Sequence, residues 1–263
     1  MTTAVEPVGQ LIREWRQRRH LSQLDLACDA EISTRHLSFI ETGRSSPSRD
    51  MVLRLAEQLD VPLRSRNTLL TAAGFAPMFP ERPLADPALQ PARTAIDHLL
   101  AAHEPFPALA VDRHWTLVAS NEASRRLMGA VDPSLLAPSA NVLRISLHPL
   151  GLASRIVNFG EWRAHVLSRL RRQVDVSADP ILRALADELA AYATPPTASA
   201  EEAPSYGDVI VPLRLATDAG VLSFLSTTTI FGTPVDVTLS EIALESFFPA
   251  DAATANALRA LAS

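Results

Sequence analysis

Val8, Leu11, Ile12 and Trp15 recur at the i, i+3, i+4, i+7 spacing of a helix buried along one face, and Pro7 suits its first turn. Ser22 is a good N-cap for a second, shorter helix whose apolar positions are Leu24, Leu26 and Ala27. A tight connection, Asp29-Ala30-Glu31-Ile32, then leads to Ser33, which caps a third helix. There Leu37 and Ile40 lie one turn apart and face inward, leaving Thr34, Arg35, Ser38 and Phe39 outside. Ser48 caps a fourth helix to Asp60 with Val52, Leu55, Ala56 and Leu59 inward, and a fifth, from about Leu63 to Ala73, ends at Gly74, a usual C-cap. The pattern predicts a small all-α domain of five helices over residues 1–75.

Residues 76–91 carry five prolines, which oppose helix and predict a stiff, extended linker. A helix carrying Ile96, Leu99 and Leu100 follows over 92–103. Beyond it the period changes. Two short apolar strands flank an Asp-Arg turn in PALAVDRHWTLVAS, and Asn121 caps a helix running to Met128 before Gly129. A longer helix places Phe159, Trp162, Val166, Leu167 and Leu170 on one face, and another, from about Asp179 to Tyr192, turns Ile181, Leu182, Leu185 and Leu189 inward. Residues 194–205 read as a loop. Three strands are then expected, Asp208 to Thr217, Val221 to Phe231 and about Leu239 to Phe248, before a short terminal helix from Ala252 to Leu261.

Charge alters this picture little. Residues 1–75 hold 10 arginines against 9 acidic residues, within a chain of net charge −5, so DNA binding would depend on a local patch. No apolar run approaches the ~20 residues of a membrane span and no signal peptide is evident, so a cytoplasmic protein is expected. The single cysteine, Cys28, excludes an intramolecular disulfide and reads as a small buried residue.

The stretch from Gly9 to Phe75 resembles the DNA-binding domain of XRE-type, lambda-repressor-like transcription regulators. Leu21-Ser22-Gln23, Leu26-Ala27, Ile32-Ser33, Leu37, Ile40-Glu41-Thr42-Gly43-Arg44, Pro47-Ser48 and Leu55-Ala56 carry the resemblance. It departs at Glu31, where the family usually places a glycine with positive φ. The resemblance implies that the third helix enters the major groove, with Gln23, Thr34, Arg35, Ser38 and Phe39 as base contacts. Ser22, Arg44, Ser46 and Arg49 are the expected phosphate contacts, which position more than they specify. Arg16 and Glu41 match a partly buried ion pair of the family.

The second half is similar to PAS-like sensor domains in its order of two strands, several helices and three strands. LHPLGLASRIVNFGEW and STTTIFGTPVDVTLSEIALESFFPAD look like the C-terminal domain of the MmyB-like branch of these regulators. The fold class expected is therefore α+β: a helix-turn-helix domain, the linker over 76–91, and over 92–263 a PAS-like ligand-binding and dimerisation domain with an antiparallel five-stranded sheet. The resemblance implies an apolar cavity for a fatty acid or similar lipidic ligand. Trp115, Phe159, Trp162, Phe224 and Phe231 are its candidate walls, and His148, Arg155 and Thr228 its candidate polar partners.

The seven histidines, His20, His36, His98, His103, His114, His148 and His165, show no metal-ligand spacing, so no metal is expected. No glycine-rich phosphate loop or nucleophile elbow is present, and an enzyme is disfavoured. The sum is a homodimeric regulator that binds double-stranded DNA at an inverted repeat and is modulated by a small apolar molecule. The alternative is a second domain that only pairs subunits or docks a protein partner.

Overall fold

In the computed structural model, which describes residues 6–129, 131–195, 211–232, 234 and 236–262, local signals set the first five helices. They are α1 (Val8–Arg18), α2 (Gln23–Asp29), α3 (Thr34–Glu41), α4 (Arg49–Gln58) and α5 (Leu63–Ala72). Ser22, Ser33 and Ser48 each accept the backbone N–H three residues on, and Ser22 with Asp25 forms a full capping box. Ile12, Trp15, Leu26, Leu37, Ile40, Val52, Leu55, Leu59, Leu69 and Leu70 make one buried core. Glu31 takes φ 54°, so the turn keeps the left-handed backbone without glycine.

Two residues of α2 depart from expectation. Leu24 is 60% exposed and Cys28 is exposed as well, because the seven-residue helix buries only Leu26 and Ala27. A helix this short presents too narrow a stripe to bury a third and fourth position.

The proline-rich stretch is also more ordered than expected. Asn67 Oδ1 accepts the N–H groups of Met78 and Phe79, both at 3.0 Å, and Nδ2 donates to the Phe79 carbonyl at 2.7 Å. Asp86 caps a 3₁₀ turn, Pro87–Leu89, which runs into α6 (Gln90–Ala102). Pro91 sits in the first turn of α6, where its missing N–H costs nothing, so the helix starts inside the expected linker. Leu99 faces solvent, leaving Ile96 and Leu100 as the buried pair.

The remaining elements are β1 (Ala108–Val111), β2 (Leu117–Ser120), α7 (Glu122–Met128), α8 (Val142–Leu147), α9 (Phe159–Ser177), α10 (Pro180–Ala191), β3 (Leu213–Thr217), β4 (Gly220–Ile230), α11 (Val237–Ser240), β5 (Ala243–Pro249) and α12 (Ala252–Ala262). The strands form one antiparallel sheet in the order β2-β1-β5-β4-β3, with the helices inserted between β2 and β3. This is the PAS-like arrangement, and the fold is α+β. Alternation divides the sheet faces: Leu109, Val111, Leu213, Leu215, Leu222 and Phe224 join the core made with α9 and α10, whereas Ala108, Ala110 and Leu244 pack with Ile96 and Leu100.

Ile181 is exposed, while Leu182, Leu185 and Leu189 are buried as expected. The last strand starts at Ala243 rather than near Leu239, because Asp236 accepts the Thr238 N–H and opens α11 instead. Most of the loop expected at 194–205, and the start of the strand expected from Asp208, lie outside the described residues.

The chain divides into two units. One reaches Pro83 and also takes in α11; the other runs from Leu84 to Gly232 and resumes at Glu241. Within the first, α11 is held by the buried Val237, whose N–H donates to the Pro80 carbonyl at 2.8 Å, and by Asp236, whose carboxylate meets Arg82 at 3.2 Å.

Candidate nucleic-acid interface and ligand cavity

Helix α3 presents a continuous outer face. Arg35 is exposed, Thr34, Ser38 and Phe39 are half-buried, and Leu37 and Ile40 anchor the opposite side. The Arg35 guanidinium lies 5.3 Å from the Phe39 ring centroid and that of Arg44 6.0 Å, so one aromatic ring holds two cations on the same surface. Arg44, Ser46 and Arg49 are all exposed in the loop and helix start that follow.

Behind this face is the ion pair. Arg16 Nε and Nη2 donate to Glu41 Oε1 and Oε2 at 2.6 and 2.9 Å, and Arg16 Nη1 donates to the Leu21 carbonyl at 2.9 Å. Gln23 Nε2 donates to Glu41 Oε2 at 2.7 Å, so the amide is tied into this pair and its Oε1 is what remains for an outside donor. Bonding to Glu41 raises the Arg16 pKa against the opposing effect of burial. The network joins α1, α2 and the end of α3. At the same junction, a Cβ on Gly9 would stand 2.1 Å from the Ile40 carbonyl oxygen, so only glycine permits this approach of α1 to α3.

The arginine cluster of α1 is chiefly internal. Arg19 donates to the carbonyls of Leu59 and Asp60 at the end of α4, and Arg18 and Arg19 flank the Trp15 ring.

The second unit holds a partly open apolar cavity of about 110 Å³ between the sheet and α7, α8 and α9. Leu109, Met128, Leu143, Ile145, Val166 and Leu213 are among its walls, and so are three of the expected aromatics, Trp115, Trp162 and Phe224. Both indoles are fixed from behind: Trp115 Nε1 donates to Gln173 and Trp162 Nε1 to Ser146 Oγ, each at 2.8 Å.

The other candidates stand elsewhere. Phe159 is buried in the core without reaching the cavity, and Phe231 packs beside the cluster on the opposite sheet face. His148 stacks edge-on with Tyr192 and accepts the Leu150 N–H, while Arg155 donates to the Ala216 carbonyl at 3.1 Å. Thr228 is exposed and does not line the cavity, but its hydroxyl bonds two residues that do, Arg169 and Glu245.

Of the cavity's polar end, reasoning from sequence found Thr228 and passed over the charged residues it bonds. Arg169 of α9 bonds Glu245 of β5 through Nη1 at 3.0 Å and Nη2 at 2.6 Å, with Nη2 also 2.6 Å from Thr228 Oγ1. Its guanidinium sits 4.5 Å over the Trp115 ring. His165 and Ser226 complete this corner. Burial, then the neighbouring Arg169 and Arg172, lowers the pKa of His165, so its ring is uncharged at neutral pH. The available signal was periodicity: Trp162, His165 and Arg169 share one face of α9, and Glu245 interrupts an apolar strand.

Among the described residues no group of histidine, cysteine and carboxylate side chains could hold a metal ion, and no helix is long and apolar enough to cross a membrane.

Comparison with known proteins agrees with both halves. Residues 12–65 match a helix-turn-helix family model, and residues 92–261 match the MmyB-like transcription regulator ligand binding domain. A relative described as an uncharacterized HTH-type transcriptional regulator, RghRB of Bacillus subtilis (strain 168), is 38% identical over 78 residues, which is 29% of this chain and 54% of that protein. The chain thus spans about half the length of this relative. A solved RNA-binding light-oxygen-voltage receptor aligns over 97% of this chain and 62% of its own at 15% identity, with a TM-score of 0.25 that is too low to support any argument. Because the second family match spans well over half of its length, the chain belongs to the MmyB-like transcription regulators, with a helix-turn-helix domain ahead of the ligand-binding one.

Proposed function

We propose that the protein binds an inverted-repeat operator as a homodimer, and that a small apolar, lipid-like molecule in the second unit changes its affinity for that operator. The observation that carries this reading is an apolar cavity lined by Trp115, Trp162 and Phe224 in a chain whose other unit displays Arg35, Phe39 and Arg44 on one face. One reading head offers too few base contacts for an operator, which favours two heads on half-sites about one helical turn (~34 Å) apart. Gln23, Thr34, Arg35, Ser38 and Phe39 contact bases; Ser22, Arg44, Ser46 and Arg49 contact phosphates. The cavity favours ligand binding over a second domain that only pairs subunits, since a pairing module needs no such apolar pocket. Cavities of comparable size, roughly 150 Å³, hold a benzene-sized molecule.

The test is footprinting of the purified protein on genomic DNA, followed by titration of the recovered fragment over a salt series, with and without candidate ligands. With about three to five phosphate contacts per head, log K falls against log salt with a slope of about −5 to −9 for a dimer. Salt-independent affinity, or a one-to-one stoichiometry on the fragment, contradicts the DNA-reading part. A ligand that raises the melting temperature but leaves operator affinity unchanged contradicts the modulation.

A further inference from the structure

Among the described residues, every charged side chain on the cavity wall belongs to one cluster, where α9 crosses β4 and β5. Arg169 and Glu245 are the arginine and the carboxylate of that lining, and Glu245 is only 4% exposed. They are already joined: two N–H groups of Arg169 reach the two oxygens of Glu245, and Thr228 Oγ1 donates to Glu245 Oε1 at 2.8 Å while accepting from Arg169. The corner is therefore electrically closed, and the uncharged His165 adds no second cation to it.

We infer that the ligand of this cavity carries an uncharged hydrogen-bonding head group, a carbonyl, ester, amide or hydroxyl, and not a free carboxylate. This rests on the reading of the second unit as a ligand binder. An ionised acid would bring a second negative charge to a wall whose one arginine is shared with Glu245. Either two carboxylates crowd Arg169, or Glu245 is left desolvated without its partner, and both are costly at a carboxylate that is itself buried.

A neutral head meets neither penalty. Of the five N–H groups of Arg169, three are used by Glu245 and Thr228, leaving Nε–H and one N–H of Nη1 without a partner among the described residues. A ligand carbonyl can accept from these. A ligand hydroxyl can donate to Glu245 or to the neutral imidazole of His165. The apolar remainder packs on the indoles of Trp115 and Trp162.

The experiment compares octanoic acid, octanamide, methyl octanoate and 1-octanol against the full chain, by calorimetry and by melting temperature, at a mildly alkaline pH where the acid is ionised. At least one neutral compound is expected to bind about tenfold or more tighter than octanoate. In Glu245→Gln, which keeps the side-chain size and releases the charge of Arg169, octanoate is expected to gain about tenfold and close that gap. Should Glu245→Gln fail to fold, the ranking on the unaltered protein still decides. Octanoate binding as tightly as the best neutral analogue overturns the inference and leaves the ligand-binding reading standing. Binding of none of the four overturns that reading, and this inference with it.

Discussion

Removing Glu41 tests the idea that a buried ion pair holds α3 in place. Its side chain is 1% exposed and accepts two bonds from Arg16 and one from Gln23. Deleting one partner of a buried pair costs roughly 3–5 kcal/mol, because the other charge stays buried alone. Arg16 is 11% exposed and keeps its bond to the Leu21 carbonyl, which places Glu41→Ala near the lower end, about 3 kcal/mol, or two orders of magnitude in the opening equilibrium. A two-unit chain need not unfold in one transition, so hydrogen exchange resolved by peptide is the appropriate assay. Protection over α1, α2 and α3 should fall by about a hundredfold, and protection over α9 and the sheet should be unchanged. Replacing both partners, Arg16→Met with Glu41→Leu, should recover most of the loss, since apolar substitutes of similar volume are often neutral for such pairs. A loss below about fivefold for Glu41→Ala, or a double variant no better than the single one, refutes the reasoning.

Three further outcomes follow from the same physics. Gly9→Ala should destabilise the first unit by about 3 kcal/mol or more, because the new methyl meets the Ile40 carbonyl rather than a movable side chain; unchanged exchange in α1 would contradict it. Glu31→Gly should raise the melting temperature of the first unit slightly, because the left-handed residue at φ 54° costs about 1 kcal/mol, partly offset by the greater freedom of glycine when unfolded. The Arg144 hydrogen bonds hold the Glu188 pKa below its ordinary range against the opposing effect of burial. The pair therefore stabilises the fold above that range and loses its effect as pH falls through it. Glu188→Gln should lower the melting temperature at neutral pH, with the difference shrinking below about pH 4.

What could be read from the sequence was what is local. Capped helices with a 3.6-residue apolar period declare themselves within a dozen residues, so α3 and its inner and outer faces were legible from Ser33, Leu37 and Ile40. The order of two strands, helices and three strands likewise placed the sheet. Decisions made by distant partners were not legible. Leu24 and Ile181 look like core in a local window, yet each falls just beyond the buried stripe of its helix. Asp236 opens a helix that runs into the start of the expected strand because Pro80 and Arg82 meet that segment. The polar corner of the cavity joins residues 76 apart, and nothing near Arg169 in the sequence signals Glu245.

The central claim is that α3 reads DNA through Arg35, and selection of bound sites from a random DNA pool tests it most directly, with the unaltered protein and Arg35→Ala run in parallel. The account predicts an enriched inverted repeat for the first. For the second it predicts the same repeat relaxed at one symmetric position, with a loss of about 1–3 kcal/mol there. An identical motif from both proteins, or no enriched motif from either, would contradict it.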